Sequence, residues 1–306
     1  MVPASLTLSP EVAAARADGR PVVALESTVL THGLPFPQNL DTARAVEAAV
    51  RDGGAVPATV AVFDGRIRVG LDAAALERLA QTSGVMKLSR ADLACAVALG
   101  RTGSTTVAAT MIAARLAGIE VFATGGIGGV HRGAETSFDI SADLGELART
   151  PVIVVSAGAK AILDLAKTLE VLETHGIPVV GWRTDDFPAF WSRASGLPVP
   201  LRLDDAADLV RFWRVRRDLG LEGGLLLANP VPAEAEIPCV EMESVIARAV
   251  AEMESVGVRA KDVTPRLLSR IVELTGGRSL TTNRALILSN ARLAAEVAGA
   301  LISRDR

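Results

Sequence analysis

Residues 121–143, VFATGGIGGVHRGAETSFDISAD, join a short apolar run to a glycine-rich loop. The apolar run 121–123 predicts a buried strand. Four glycines follow within five positions, namely Gly125, Gly126, Gly128 and Gly129. Glycine reaches positive φ easily and lets a ligand approach the backbone, and successive exposed amides can bind an anion. The loop is therefore a candidate ligand site at the end of a strand.

Two interpretations of this loop are open. A glycine cluster after a strand can be only a tight turn. The loop is neither a G-x-G-x-x-G fingerprint that opens a helix nor a Walker A loop closed by Gly-Lys-Ser/Thr. Because ionisable residues follow at once, including His131 and Asp139, we interpret it as a loop that binds a phosphate or a metal.

Composition restricts the class of protein. The chain has 306 residues, of which 49% are hydrophobic and 22% charged, as expected for a globular protein with a sizeable core. A net charge of −3 gives no reason to expect nucleic acid or a membrane surface as a partner. Cys95 and Cys239 form no metal or redox motif. We see no signal peptide and no apolar run of about 18 residues, so we expect a cytoplasmic enzyme without a membrane span.

The order of predicted elements favours one α/β domain. Apolar strands alternate with helices, and the last strand and its turn are predicted at 223–230. The run Gly103-Ser104-Thr105-Thr106 is expected to open and cap a helix that continues to Leu116. Asp64-Gly65 predicts a hairpin turn, and the chain is helical from 241 onward. We predict a single α/β/α catalytic domain over 1–306 with three layers, a largely parallel or mixed central sheet, and a helical C-terminal third. Residues 1–8 and 303–306 are expected to be tails. The irregular segment 184–203, rich in aromatic residues, is expected to form a lid or a subunit contact.

Three carboxylates are candidates for chemistry. Glu26 ends a predicted buried strand, where open α/β sheets bind their ligands, although it could instead cap the sheet or pair with an arginine. Asp139 and Asp143 are four residues apart and would share one face if a helix begins at 140. Such a pair suits a hard ion such as Mg²⁺ or Mn²⁺, or it could simply offset the helix dipole.

Lysine is rare in this chain, where only four of the 32 cationic residues are lysine. Unlike arginine, lysine can lose its proton and attack a carbonyl. Lys160 lies where a predicted strand meets a helix at 161–167, so it is either a solvated surface residue or a desolvated nucleophile. Lys87, in or after a short strand, is either a surface side chain or a phosphate ligand.

Four long motifs resemble the pseudouridine-5′-phosphate glycosidases, the indigoidine-synthase-A-like family. They are EST…HGLP.PQN from Glu26 to Asn39, ATGGIGGVHRG from Ala123 to Gly133, FDISADL from Phe138 to Leu144, and AGAK from Ala157 to Lys160. Further matches include LEGG…NP at 221–230 and LTGG…N at 274–283. The resemblance runs from about residue 8 to 300 and keeps these motifs in order.

The resemblance implies an activity and a set of site residues. The family cleaves pseudouridine 5′-phosphate with water to uracil and ribose 5-phosphate, reversibly, with a divalent metal, usually Mn²⁺, and as a homotrimer. By resemblance Glu26 is the proton donor, Lys160 the nucleophile and Asp139 the metal ligand. The positions that match substrate-binding residues are Lys87, Val107, Ser141, Ala142 and Asp143, and those that fall in matching motifs and line the site with them are Thr124, His131 and Asn283.

The substrate explains why a lysine is required beside the acid. Ordinary glycosidases protonate a leaving atom that carries a lone pair, and two carboxylates suffice. Pseudouridine joins ribose to uracil through a C–C bond, so the family's route opens the ribose ring and forms a Schiff base on lysine. Three alternatives remain: a Schiff-base lyase or aldolase on another sugar phosphate, an inactive metal- or nucleotide-binding regulator, and a role in pigment synthesis.

Overall fold

The computed structural model describes residues 3–256 and 263–303 and contains one large sheet flanked by helices. The strands are β1 (Leu6–Leu8), β2 (Val22–Leu25), β3 (Val56–Phe63), β4 (Arg66–Val69), β5 (Met86–Leu88), β6 (Gly103–Thr105), β7 (Val121–Ala123), β8 (Ile153–Ser156), β9 (Val179–Trp182), β10 (Leu201–Leu203) and β11 (Leu225–Ala228). The helices are α1 (Pro10–Ala17), α2 (Gln38–Asp52), α3 (Ala73–Gln81), α4 (Arg90–Ala98), α5 (Val107–Ala117), α6 (Ala134–Ser137), α7 (Ala142–Leu147), α8 (Leu165–Thr174), α9 (Ala206–Asp218), α10 (Cys239–Val256), α11 (Val263–Leu274) and α12 (Arg278–Ser303).

The sheet is largely parallel, as predicted. Its strand order is β1-β4-β3-β2-β7-β8-β11-β9-β10, with β5 and β6 attached beside β3. Only the pairs of β3 with β4 and with β6 are antiparallel among the described strands. Central strands such as β2, β7, β8 and β11 are buried along their whole length, which explains their continuous apolar sequences.

Helices cover the two faces of the sheet and complete the α/β/α architecture. The C-terminal helix α12 packs against β2, β7 and β8 and also against α2 and α9. On the other side, α5 packs against β2, β3 and β7 and against α4 and α7. The predicted hairpin is confirmed, because Asp64 and Gly65 take positive φ values of 49° and 76° between the antiparallel strands β3 and β4.

Two predicted features of the chain are wrong. Residues 1–8 are not a tail throughout, because Leu6–Leu8 forms β1 and pairs in parallel with β4. Leu6 is buried in the main core, so its apolar side chain gives this edge strand a reason to dock. Residues 1–2 and 304–306 lie outside the described residues. The stretch 103–105 does not open the following helix but forms strand β6, and Thr106 caps α5 through its side chain.

The aromatic residues of 184–203 are not an exposed lid. Phe187, Phe190 and Trp191 are 0%, 3% and 2% exposed and belong to the main core. Trp191 donates its indole N–H to the carbonyl of Ser279 on α12 at 3.1 Å. The side chains of this segment fill the space between the sheet and the C-terminal helices. Because the backbone of the segment is irregular, no periodic pattern in the sequence indicates this burial.

One described helix, α12, is long and apolar enough to cross a membrane by length and composition alone. Half of its most apolar window is buried inside the protein, against β7, β8 and α2. The core helix of a globular protein meets the same criterion, and the contacts of α12 are those of a core helix.

Candidate active site

A cavity of about 390 Å³ opens at the carboxyl ends of the central strands. Ligands of open α/β sheets bind at this edge. Its wall includes the predicted site residues Glu26, Lys87, Val107, His131, Asp139, Ser141, Ala142, Asp143, Lys160 and Asn283. Thr124 is fully buried and reaches the site through Glu26. The structure therefore brings the predicted set together in one place.

Glu26 is held by two hydroxyl groups. It follows β2 directly, and Thr124 follows the neighbouring parallel strand β7 directly, so the two residues leave the sheet side by side. The hydroxyl of Thr124 donates to Oε1 of Glu26, and the hydroxyl of Thr28 donates to Oε2. The carboxyl group is thus fixed at the cavity wall, and no arginine within residues 3–256 and 263–303 pairs with it.

Lys160 is positioned by the exit loop of β8. Its backbone N–H donates to Ile127 O, and Ile127 N–H donates to Gly158 O, each at 3.1 Å, so the loops after β7 and β8 hold each other. Gly158 has φ 76°, and a Cβ there would lie 3.1 Å from Cζ of Phe187. The predicted helix at 161–167 is wrong: α8 begins at Leu165, after Asp164 caps it. Lys160 therefore lies in a loop at the cavity.

The glycines of the glycine loop are required because neighbouring groups pack closely against them, and not because the backbone is left-handed. In this described loop none of Gly125, Gly126, Gly128 and Gly129 adopts a positive φ. A Cβ on Gly126 would lie 2.7 Å from Cδ2 of Phe190, and one on Gly128 would lie 2.6 Å from Cβ of Ser141. The Gly128 amide already donates to Asp143 at 2.8 Å. The loop is consequently not an open nest of amides at Ile127 and Gly128, as the phosphate hypothesis had assumed.

Asp139 and Asp143 do not face one side of a helix, so that prediction is wrong. Helix α7 begins at Ala142, after Ser141 caps it, and Asp139 lies in the preceding loop with its side chain 50% exposed. Asp143 is 5% exposed, and its two oxygens accept hydrogen bonds from the backbone of Ala108 and Gly128 at 2.9 and 2.8 Å. Asp143 thereby joins the glycine loop to the N-terminus of α5.

His32 is a cavity residue that the predicted site set lacked. It lies in a short π-helical turn, Val29–Gly33, and its Nδ1 is 2.6 Å from Oγ1 of Thr31. Burial, and then the positive charge of Lys87, hold the pKa of His32 below its ordinary value. Both effects favour the neutral form of the His32 imidazole over its protonated form. Its presence in the HGLP motif was the signal that could have identified it.

The C-terminal helices supply a second part of the wall that sequence reasoning largely missed. Leu268 of α11 and Ile287 of α12 lie beside the predicted Asn283, and Phe190 faces the glycine loop. These residues are apolar and distant in sequence from the strand ends. Nothing in their local pattern distinguishes a cavity wall from ordinary core.

The donors that the described residues offer at this cavity fit only a highly hydrated metal ion. Within the described ranges no group of three or more His, Cys, Asp or Glu side chains could enclose a metal. Asp139 offers an accessible carboxylate in the cavity, with His131 Nδ1 at 3.9 Å from its Oδ2. One carboxylate with waters is a usual arrangement for Mg²⁺-like ions.

A largely parallel sheet that brings a carboxylate, a lysine and a glycine loop to one cavity defines an α/β enzyme with a small-molecule site. The sequence matches the Indigoidine synthase A like protein family over residues 11–300, and the chain belongs to that family. It is 67% identical over 302 residues to the pseudouridine-5′-phosphate glycosidase of Paracoccus denitrificans, covering 98% of this chain and 99% of that protein. It is 64% identical over 296 residues to the protein of that name from Jannaschia sp., covering 97% and 98%.

Solved structures support the same assignment of fold and family. The prealnumycin C-glycosynthase AlnA, solved in complex with ribulose 5-phosphate, superposes with a TM-score of 0.91 at 41% identity, covering 98% of each chain. An indigoidine synthase A-like protein from Thermotoga maritima superposes with a TM-score of 0.88 at 37% identity, covering 97% of this chain and 96% of that one.

Proposed function

We propose that this enzyme reversibly cleaves pseudouridine 5′-phosphate with water, giving uracil and ribose 5-phosphate, in nucleotide catabolism. One observation carries the proposal: Glu26 and Lys160 reach the same cavity from β2 and β8, in a chain 67% identical to a glycosidase of that name. The ribulose 5-phosphate complex of AlnA supports a pentose phosphate ligand for this cavity.

The two residues divide the reaction between acid and nucleophile. Glu26 donates a proton to the ribose ring oxygen, and the electron-rich uracil ring drives that C–O bond to break. The neutral Lys160 amine then adds to C1′. Protonation of uracil C5 and cleavage of the C1′–C5 bond leave an iminium on Lys160. Water adds to this iminium, which releases ribose 5-phosphate and regenerates the amine.

The remaining predicted residues bind and orient the substrate. Lys87, from β5, holds the phosphate group, and a charged anchor of this kind fixes the reacting carbon beside Lys160. Thr124 orients Glu26. The other substrate-binding residues are Val107, His131, Ser141, Ala142, Asp143 and Asn283. Because both oxygens of Asp143 accept backbone hydrogen bonds, Asp143 contributes to substrate binding indirectly, by holding the glycine loop in place.

We also propose that Asp139 holds one divalent ion, Mn²⁺ in the first instance or Mg²⁺, with waters completing its coordination. The hydrated ion would supply positive charge and water-mediated contacts to the substrate. Treatment with EDTA should abolish uracil release, and added Mn²⁺ should restore it. Full activity in EDTA would contradict a metal requirement.

The family resemblance extends the proposal to the assembly and location of the protein. We propose a homotrimer that acts in the cytoplasm, on a small-molecule substrate and without nucleic acid or a membrane. Light scattering on the purified protein should give three times the chain mass of 31.8 kDa. A mass equal to a single chain would contradict the trimer.

The test of the function is release of uracil from pseudouridine 5′-phosphate, followed by chromatography. Lys160→Arg should abolish release because arginine remains protonated. Lys167→Arg is the matched control, since Lys167 is an exposed residue paired with Glu135 and Asp164. Equal loss in both variants, or turnover by Lys160→Arg, would contradict the nucleophile. No uracil from the wild-type enzyme would contradict the proposed substrate.

One further activity deserves the same assay because AlnA, at 41% identity, is a C-glycosynthase. A Schiff-base enzyme could join ribose 5-phosphate to a carbon nucleophile other than uracil. Incubation of ribose 5-phosphate with uracil and with competing nucleophiles separates the alternatives. Product with uracil alone supports the glycosidase, and product only with another nucleophile supports a synthase of different specificity.

A further inference from the structure

A buried asparagine on α12 contacts the end of β7 beside the acid. Asn290 is 0% exposed. Its Nδ2 donates to the carbonyl of Thr124 at 2.8 Å and lies 3.5 Å from the carbonyl of Gly125. Thr124 and Gly125 are the first two residues after β7, where the glycine loop begins. The side chain of Asn290 thus binds the backbone where the strand becomes the active-site wall.

The orientation of Asn290 is itself fixed by a second asparagine. Asn229 follows β11, and its Nδ2 donates to Oδ1 of Asn290 at 2.9 Å and to the hydroxyl of Ser289 at 3.1 Å. The backbone N–H of Asn229 donates to Ser156 O, at the end of β8, at 2.8 Å. Because Oδ1 of Asn290 accepts from an amide, its Nδ2 must be the group that faces Thr124.

The position of the Thr124 backbone also determines where its hydroxyl meets the carboxyl group of Glu26. Its backbone N–H donates to Val155 O at 3.0 Å on one side, and its carbonyl accepts from Asn290 on the other. Between these two fixed points its hydroxyl donates to Oε1 of Glu26. A shift of the Thr124 backbone would therefore move the hydroxyl away from the carboxyl group.

We propose that Asn290, oriented by Asn229, is a positioning residue that places the Thr124 hydroxyl on Glu26 and so aligns the acid for proton transfer. The inference rests on the proposed role of Glu26 in the reaction. An apolar side chain at this buried position of α12 would be expected if packing alone were required. A buried amide is instead satisfied by polar groups that all lie at strand ends around the site.

A double-mutant cycle between Asn290 and Thr124 tests the proposal. In Asn290→Ala, kcat for uracil release should fall about 10- to 100-fold, the scale of a small misplacement in an active site. KM should change less than about threefold, because the substrate-binding residues remain. Thr124→Val should cause a similar fall, and the double variant should be no slower than Thr124→Val alone.

Two companion variants separate positioning from loss of stability. Thr282→Val on the same helix removes a buried hydrogen bond to the carbonyl of Ala235, so it should lower the melting temperature and leave kcat within about twofold. Asn229→Ala should lower kcat in the same direction as Asn290→Ala, and it serves if the latter fails to fold. All rates are measured below the melting temperature of the least stable variant.

A crystal structure of the Asn290→Ala protein, or of Asn229→Ala, shows directly whether the Thr124 hydroxyl still contacts Glu26, and it needs no substrate. The Thr124 hydroxyl should lie beyond about 3.5 Å from Glu26, outside hydrogen-bonding distance. An unchanged contact, a wild-type kcat, or a loss that adds in full to that of Thr124→Val would overturn the proposal. An inactive wild-type enzyme would instead overturn the proposed function, and the crystal structure would still decide the positioning.

Discussion

Asp143 gives the sharpest test of how the glycine loop is held. Its carboxylate accepts from Gly128 N–H in the loop and from Ala108 N–H in the first turn of α5, and it is 5% exposed. In Asp143→Asn one oxygen remains an acceptor, while the new NH₂ group faces a backbone donor. One buried amide then loses its partner, at about 1–3 kcal/mol. The lost negative charge at a helix N-terminus adds about 0.3–1 kcal/mol.

We therefore expect Asp143→Asn to lower the free energy of unfolding by about 1.3–4 kcal/mol. Asp72→Asn is the matched control, because Asp72 is an exposed N-cap that accepts from Ala75 N–H at 2.7 Å. Asparagine caps helices about as well as aspartate, so this change should cost less than about 0.5 kcal/mol. Urea unfolding at a fixed protein concentration measures both. A difference of less than about 0.5 kcal/mol between the variants would refute the reasoning.

Three further predictions concern His32, Lys87 and Gly158. Burial and Lys87 lower the pKa of His32 in the folded protein, so the unfolded chain binds a proton at this residue near pH 6.5 while the folded protein does so only at lower pH. The free energy of unfolding should therefore be constant in this respect above pH 6.5 and should fall as the pH drops below it. Urea unfolding from pH 7.5 to 5 should show a smaller fall for His32→Asn, and parallel curves would contradict this. Lys87→Met should raise KM for the phosphorylated substrate about 10- to 150-fold, as expected for a lost charge-assisted hydrogen bond, and a KM change below about threefold would exclude a phosphate contact. Gly158→Ala should lower the free energy of unfolding by at least about 2 kcal/mol, because Gly158 has a positive φ and a Cβ there would contact Phe187. Gly133→Ala is the control, since Gly133 also has a positive φ but nothing lies within 4 Å of its Cβ position, and it should cost about 1 kcal/mol. Equal losses of the two variants in thermal unfolding would contradict the packing argument.

The sequence predicted the parts of the fold that have strong local signals. Continuous apolar runs identified β2, β7, β8 and β11 because parallel strands buried on both faces carry such runs. Asp64-Gly65 identified its hairpin by turn chemistry. The strand β6 was missed because three residues with a Ser/Thr pattern resemble a helix cap, and only pairing with β3 and β5 makes them a strand.

The site was predicted in the same uneven way. Glu26, the glycine loop and Lys160 follow apolar strands, so their shared edge could be anticipated. The separate uses of Asp139 and Asp143 could not, because spacing alone does not reveal that α7 begins between them. Asn290 had no local signal at all, since its role depends on the packing of α12 against strand ends that lie far away in sequence.

The most direct measurement of the central claim is covalent trapping on Lys160. The protein is mixed with ribose 5-phosphate and borohydride, and the adduct is mapped by mass spectrometry. The proposed mechanism predicts a reduced imine on Lys160 and none on the exposed Lys167. Bound ribose 5-phosphate without an adduct on Lys160, or an adduct that persists at another lysine in Lys160→Arg, would contradict Lys160 as the nucleophile.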